Sequence, residues 1–154
     1  MNLAKEISVL LYTHNCVIIP DFGAFLLRDK EAELNAQAKY SLPKHRVISF
    51  NRQIKSNDGL LANYIARTHF CSYEEGLTHI ASYRAMLWNA LNTKRNVEIN
   101  EIGTFYYTQE DKLVFVPYHS VNFKKATYGL PKLKLKTIQV ARHTDAKSII
   151  ISEK

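Results

Sequence analysis

At 154 residues the chain has room for one ordinary domain or for two small ones that share a core. A hydrophobic content of 46%, with nine tyrosines and seven phenylalanines, excludes a disordered chain, because so much apolar surface would be hard to keep solvated. The formal net charge of +7 is unevenly placed: residues 34–57 hold five basic residues and no acid, and residues 112–144 hold seven, again with no acid. Each stretch is a candidate footprint for a polyanion.

In chain order, Leu3, Ile7, Leu10 and Leu11 form one stripe of a helix ending near Asn15. The apolar stretch 7–12 behind Lys5 and Glu6 is too short and too charged for a secretory leader. Residues 17–27 predict a strand, a turn and a second strand. Gly23 supplies a turn or bulge conformation closed to other residues, and Phe25 falls on the face that meets the helices. Residues 28–46 predict a long loop, arm-like in length, with Pro43 near its end, before a third strand at 47–51. Asn57 or Asp58 caps a helix over 58–68 that carries Leu60, Leu61, Tyr64 and Ile65. Ser72 and Glu75 form a capping box that opens a long helix over 72–93, where Leu77, Ile80, Ala81, Leu87, Trp88 and Leu91 recur at helical spacing.

A second hairpin follows at 97–107, with Gly103 and Phe105 in the places of Gly23 and Phe25. Its strands pass through the tight acidic connection Gln109, Glu110, Asp111, Lys112 into a third strand at 113–117, and a short helix is expected at 122–129. In the basic tail, Lys132, Lys134 and Lys136 alternate with Leu133 and Leu135, the pattern of an edge strand guarded by lysines, and Ile149–Ile151 suits a short strand able to pair with another chain. No run approaches the roughly 18 apolar residues of a membrane span. Cys16 and Cys71 sit in apolar surroundings and are expected to be buried, reduced thiols, which favours a reducing compartment and a soluble, cytoplasmic protein.

Residues 17–27 align without gaps on residues 97–107, at an offset of 80. Phe50 and Phe115 match in the third strands at an offset of 65, so the first copy holds 15 extra residues, centred on 29–43. The expected fold class is therefore α+β, with two tandem units of helices on three-stranded antiparallel sheets. The first unit is expected over 1–57, truncated at its N-terminal helices, the second over 58–130, and the basic tail over 131–154. No Pro/Gly/Ser linker separates the units, so a single fused body is expected, with 58–68 serving both.

The segment from Asn96 to Phe105, helices followed by an apolar-Gly-Thr-Phe hairpin, resembles the HU/IHF superfamily of bacterial histone-like proteins. The nearer likeness is to a bacterial family with two divergent HU-type domains in tandem, related to HU-like domains of a eukaryotic centrosomal coiled-coil protein. Residues 16–25, 48–51 and 57–65 carry that likeness, which spans roughly residues 3–130. The resemblance implies a fused pseudo-dimer and a non-enzymatic, HU-like protein that binds the backbone of double-stranded DNA with weak sequence preference. Lys39, Lys44, Arg46, Arg52 and Lys55, with Lys124 and Lys125, are the candidate phosphate contacts. HU proteins bend DNA with long β-arms tipped by apolar wedges. Here the second copy has no arm, and the first lacks a Gly- and Arg-rich tip.

The alternative is a divergent HU-type protein-interaction scaffold in cell-envelope or division assemblies that has lost DNA binding. Members of the resembled family often carry the pair ahead of a membrane span and a SPOR domain. Neither is present here, so this is either a stand-alone member or a truncated one. The expected location is the cytoplasm, at the nucleoid or at the inner face of the membrane.

Tyr106, Tyr107, Tyr118 and Tyr128 are expected in the core or half-buried in the sheets, the other reading being stacking on bases or on a partner. Phe22 and Ile102, equivalent in the two turns, are expected to pack within the pair. The six histidines show no zinc spacing, and no nucleophile elbow, phosphate loop or paired carboxylates occur. No catalytic residue, metal, cofactor or small-molecule substrate is expected.

Overall fold

The computed structural model describes residues 2–35, 40–42, 44–118, 123, 133–138 and 149–152. Its first unit opens with α1 (Leu3–Leu11), whose start is closed by the Asn2 side chain accepting from the Lys5 amide. The chain then forms β1 (Cys16–Ile19), β2 (Gly23–Lys30), β3 (Glu33–Asn35), β4 (Tyr40–Leu42) and β5 (His45–Asn51). The second unit begins with α2 (Leu60–His69) and α3 (Tyr73–Lys94), followed by β6 (Asn96–Ile99), β7 (Gly103–Tyr107) and β8 (Leu113–Pro117). Two further strands, β9 (Leu133–Ile138) and β10 (Ile149–Ser152), come last.

Each unit is α+β: helix packed on a three-stranded antiparallel sheet, ordered β1-β2-β5 in the first and β6-β7-β8 in the second. The two registers agree under the offset read from the sequence. Val17 faces Phe25 as Val97 faces Phe105, and Ile19 faces Gly23 as Ile99 faces Gly103. The turns agree as well, with Phe22 N–H donating to the Ile19 carbonyl at 3.0 Å and Ile102 N–H to Ile99 at 3.1 Å. Even the strand entries match, Leu27 N–H donating to Asn15 and Tyr107 N–H to Arg95.

Gly23, at φ 155°, has a backbone conformation that other residues rarely adopt, as the sequence suggested, whereas Gly103 does not. The left-handed residue in each turn is the acid, Asp21 at φ 59° and Glu101 at φ 65°. Crowding from the third strand excludes a side chain at both Gly23 and Gly103, and at Gly23 it adds to the unusual φ. A methyl group at Gly23 would lie 2.3 Å from the Phe50 ring, and one at Gly103 would lie 2.3 Å from the Val116 carbonyl oxygen and 2.8 Å from the Phe115 ring. The equivalent phenylalanines press on the equivalent glycines.

Those rings also join the units. Phe25 meets Phe115 with centroids 5.6 Å apart, and its counterpart Phe105 meets Phe50 at 4.6 Å, while Phe25–Phe105 and Phe50–Phe115 close the cluster at 6.0 and 6.1 Å. Contacts in which each residue of one half touches the counterpart of its own neighbour are the signature of an isologous interface, here built within one chain. Phe22 and Ile102 are fully buried beside the cluster. α2 packs on β1 of the first unit and on α3 of the second, and Phe123 is buried against Tyr12 at 5.2 Å.

Several expectations need correction. Residues 28–46 are not a long loop: β2 and β5 stay paired out to Lys30 and His45, and β3 and β4 continue as a hairpin. Few β-branched residues mark this stretch, so its strands are specified by pairing, not by local propensity. β9 is not an edge strand, because it lies between β4 and β10 in a sheet ordered β10-β9-β4-β3. The edge of β4 recruits it through Tyr40↔Lys134 and Ser41↔Leu133, and β10 pairs with β9 of the same chain. α2 starts at Leu60, and its N-cap is Gly59 at φ 77° with no side-chain cap bond, not Asn57 or Asp58 as expected; those two side chains accept from the Gly59 and Leu60 amides in the turn that precedes the helix. The capping box of Ser72 and Glu75 is present. The helix expected at 122–129 lies outside the described residues except for Phe123.

Candidate functional site

Alternation along the strands sorts each sheet into two faces. On the first sheet Phe25, Leu27, Ile48 and Phe50 turn toward the core, so Leu26, Arg28, Lys30, Val47, Ser49 and Asn51 line the opposite, outer face. On the second, Phe105, Leu113 and Phe115 turn inward, leaving Glu98, Thr104, Tyr106, Val114 and Val116 outward. β5 and β8 lie side by side at the join, and the outer faces point away from the shared phenylalanine cluster.

The first acid-free stretch is free of acid along the chain but not in space. Lys44 meets Glu31 at 2.6 Å, and the Arg46 Nε donates to Asp29 at 3.0 Å across the β2–β5 pair. The hydrogen bond and charge of Glu31 raise the Lys44 ammonium above its ordinary value, holding it as half of an ion pair. Arg52 follows β5 at a tight turn, in which Gln53 N–H donates to the Asn51 side chain, and its guanidinium stacks over Trp88 at 5.3 Å. Lys55 is exposed, while its carbonyl accepts from the Asp21 amide. The structure thus places Lys44 and Arg46 together on the extension of β2–β5, and Arg52 and Lys55 beyond the other end of β5. Lys39, Lys124 and Lys125 lie outside the described residues, as do Lys132 and Tyr128.

Sequence reasoning missed Arg28 and Lys30, which precede the acid-free stretch and alternate with Asp29 and Glu31. Strand period was the available signal. Residues 28 and 30 share one face and 29 and 31 the other, so a charge pattern that cancels along the chain separates across the sheet.

The second outer face is of different chemistry. Tyr106 is 36% and Val116 42% exposed, Val114 is half-buried, and the acid there is Glu98. Tyr106 is thereby more exposed than expected, whereas Tyr107 and Tyr118 are half-buried. A hydrogen bond to Glu98 raises the Tyr118 phenol, which also lies 3.4 Å from the Thr104 hydroxyl. Three cations around this unit are engaged elsewhere: Arg95 with Asp111 at 2.6 Å and over the Tyr107 ring, Lys112 with Glu110 at 2.7 Å, and Arg84 with Asp21.

Both cysteines are free and partly exposed, not buried as expected; burial and the charge of Asp58 raise the Cys16 thiol. Among the described residues no group of three or more His, Cys, Asp and Glu side chains is placed to hold a metal ion, and no helix is long and apolar enough to cross a membrane.

Against known families, residues 1–58 match the model described as CCDC81-like prokaryotic HU domain 1, and residues 59–128 match CCDC81-like prokaryotic HU domain 2. No curated protein and no solved structure matches the chain.

Proposed function

Since the chain belongs to the CCDC81-like prokaryotic HU-domain family, carrying its two divergent HU-type domains in tandem, we propose that it is a non-enzymatic protein-interaction scaffold rather than a DNA-bending HU protein. The observation that carries this reading is the fate of the charge. A duplex lying across two HU-like halves needs cations on both, because affinity comes from counterions released as phosphates are neutralised. Here Lys44 and Arg46 already serve Glu31 and Asp29, and the second outer face offers Tyr106, Val114, Val116 and Glu98. An exposed face of that composition suits a protein partner. Partners in envelope or division assemblies, and a place at the inner face of the membrane, follow from the family resemblance.

The rival reading, backbone binding to double-stranded DNA, draws on Arg52 and Lys55, which are exposed and have no acidic partner among the described residues. An electrophoretic shift with intact, bent and nicked duplex across a salt series separates the two. The scaffold reading expects no retention even at low ionic strength. Retention that weakens with salt at a log–log slope near about −4.5, the value for about five phosphates, would establish the rival.

A further inference from the structure

An open depression on the outer face of the first unit is lined by Leu26, Arg28, Val47, Ser49 and Arg52, with Asp29 at its rim. Its floor is half-buried and partly apolar, formed by Leu26 and by Val47 directly opposite Arg28 in the strand register. Its two ends are cationic. Neither Arg28 nor Arg52 has a carboxylate partner among the described residues, while the rim acid Asp29 is held by Arg46. Arg52 is held near one position by its guanidinium over the Trp88 ring, a contact that leaves its N–H groups able to donate.

We propose that this depression is a docking site for an extended acidic peptide segment of a partner protein, with carboxylates at Arg28 and Arg52 and an apolar side chain between them on Leu26 and Val47. The inference rests on the scaffold reading and names its partner's chemistry. From Val47, level with Arg28, to Arg52 is five steps along the chain, or about 16 Å at strand rise. An extended peptide covers that distance in about five residues, placing an acid at each end. A nucleic-acid strand fits less well. Its phosphates recur at about half that interval or less, and the apolar floor offers them nothing. A duplex continuing past β5 toward the second unit would next meet the face that carries Tyr106, Val116 and Glu98.

Trp88, the chain's one tryptophan, gives an intrinsic readout because it lies under Arg52. The probe is a peptide of about nine residues, Glu-Ser-Leu-Ser-Glu-Ser-Leu-Ser-Glu, whose glutamates and leucines share one face of the extended chain, titrated into the full chain with Trp88 fluorescence and amide chemical shifts recorded together. The expected result is a saturable fluorescence change, with shifts at Arg28, Val47, Ser49 and Arg52. Arg28→Glu and Arg52→Glu should each weaken binding by about tenfold, as for loss of a charged interfacial contact. Lys44→Glu, at an ion pair outside the depression, should change it less than about twofold.

A peptide of the same pattern with lysine for glutamate should not bind. Equal binding of that peptide, or shifts confined to Tyr106, Val114 and Val116, would overturn the site while leaving a scaffold in place. Displacement of the acidic peptide by short duplex DNA, with a steep salt dependence, would overturn both the site and the scaffold reading.

Discussion

The two units agree wherever they touch one another and differ wherever they face outward. Their hairpins share register, turn hydrogen bonds and a third-strand phenylalanine pressed on a glycine. Between the second and third strands, however, the first unit extends β2 and β5 and adds the β3–β4 hairpin, where the second closes within Thr108–Lys112. Their outer faces carry arginine and lysine in one case and tyrosine and valine in the other. Positions in the join are constrained twice, once by their own sheet and once by the opposite copy, so a change there must be absorbed on both sides of the interface. Outer positions carry no such double constraint, and chemistry could diverge there without loss of the fold.

The comparison breaks most visibly if its shared centre is not shared. Phe25→Ala and Phe105→Ala should each cost about 3–5 kcal/mol, as for large aromatic deletions in a core, and by similar amounts. Urea denaturation of each variant measures this; a cost confined to one copy would mean that the cluster belongs to one unit. Next come the glycines. Gly103→Ala puts a methyl group 2.3 Å from the Val116 carbonyl oxygen, whereas at Gly23 the nearest atom is the far end of the Phe50 ring and the Asn51 carbonyl oxygen lies further off at 2.9 Å, although φ is +155° there. Both should cost about 1–3 kcal/mol, Gly103 the more, by the same denaturation.

The helix starts sharpen the contrast further. Ser72→Ala removes one side of a reciprocal capping box and should cost about 1 kcal/mol; Asn2→Ala, at a single-bonded cap, should cost less. The amide and hydroxyl of Ser72 hold the Glu75 carboxyl below its ordinary 4.5. The folded chain therefore binds that proton less readily than the unfolded one. Its contribution is full above about pH 4.5 and fades as pH falls through the lowered value, a dependence that thermal melts across acid pH should find reduced in Ser72→Ala. The smallest effect concerns the left-handed acids. Glu101→Gly should gain about 0.5–1 kcal/mol by relieving a strained φ, and Asp21→Gly should gain less because it also gives up Arg84, both read from melting midpoints.

Much of the fold was legible because it rests on local signals: helical spacing in α3, the capping box, and two hairpins with the same acid-apolar-Gly-x-Phe order. The β3–β4 hairpin and the strands added to it were not, since they are specified by pairing between segments far apart in the chain. The site was only half legible. Counting charges along residues 34–57 found Lys44 and Arg46 but not the acids that Asp29 and Glu31 bring to them from the neighbouring strand. The same count passed over Arg28, whose charge becomes meaningful only once alternation turns it away from Asp29. Left-handed Asp21 and Glu101 were hidden by the adjacent glycines, to which sequence reasoning assigns the unusual backbone by default.

The duplicated hairpins form one cooperative body through their shared phenylalanines. Trp88 lies on a helix of the second unit against Phe22 of the first, with centroids 5.0 Å apart, so its fluorescence reports the join while far-ultraviolet circular dichroism reports helices of both units. Urea unfolding of the full chain followed by both signals should give a single transition with coincident midpoints. Two separated transitions, with the helical signal persisting after Trp88 is released to solvent, would contradict it.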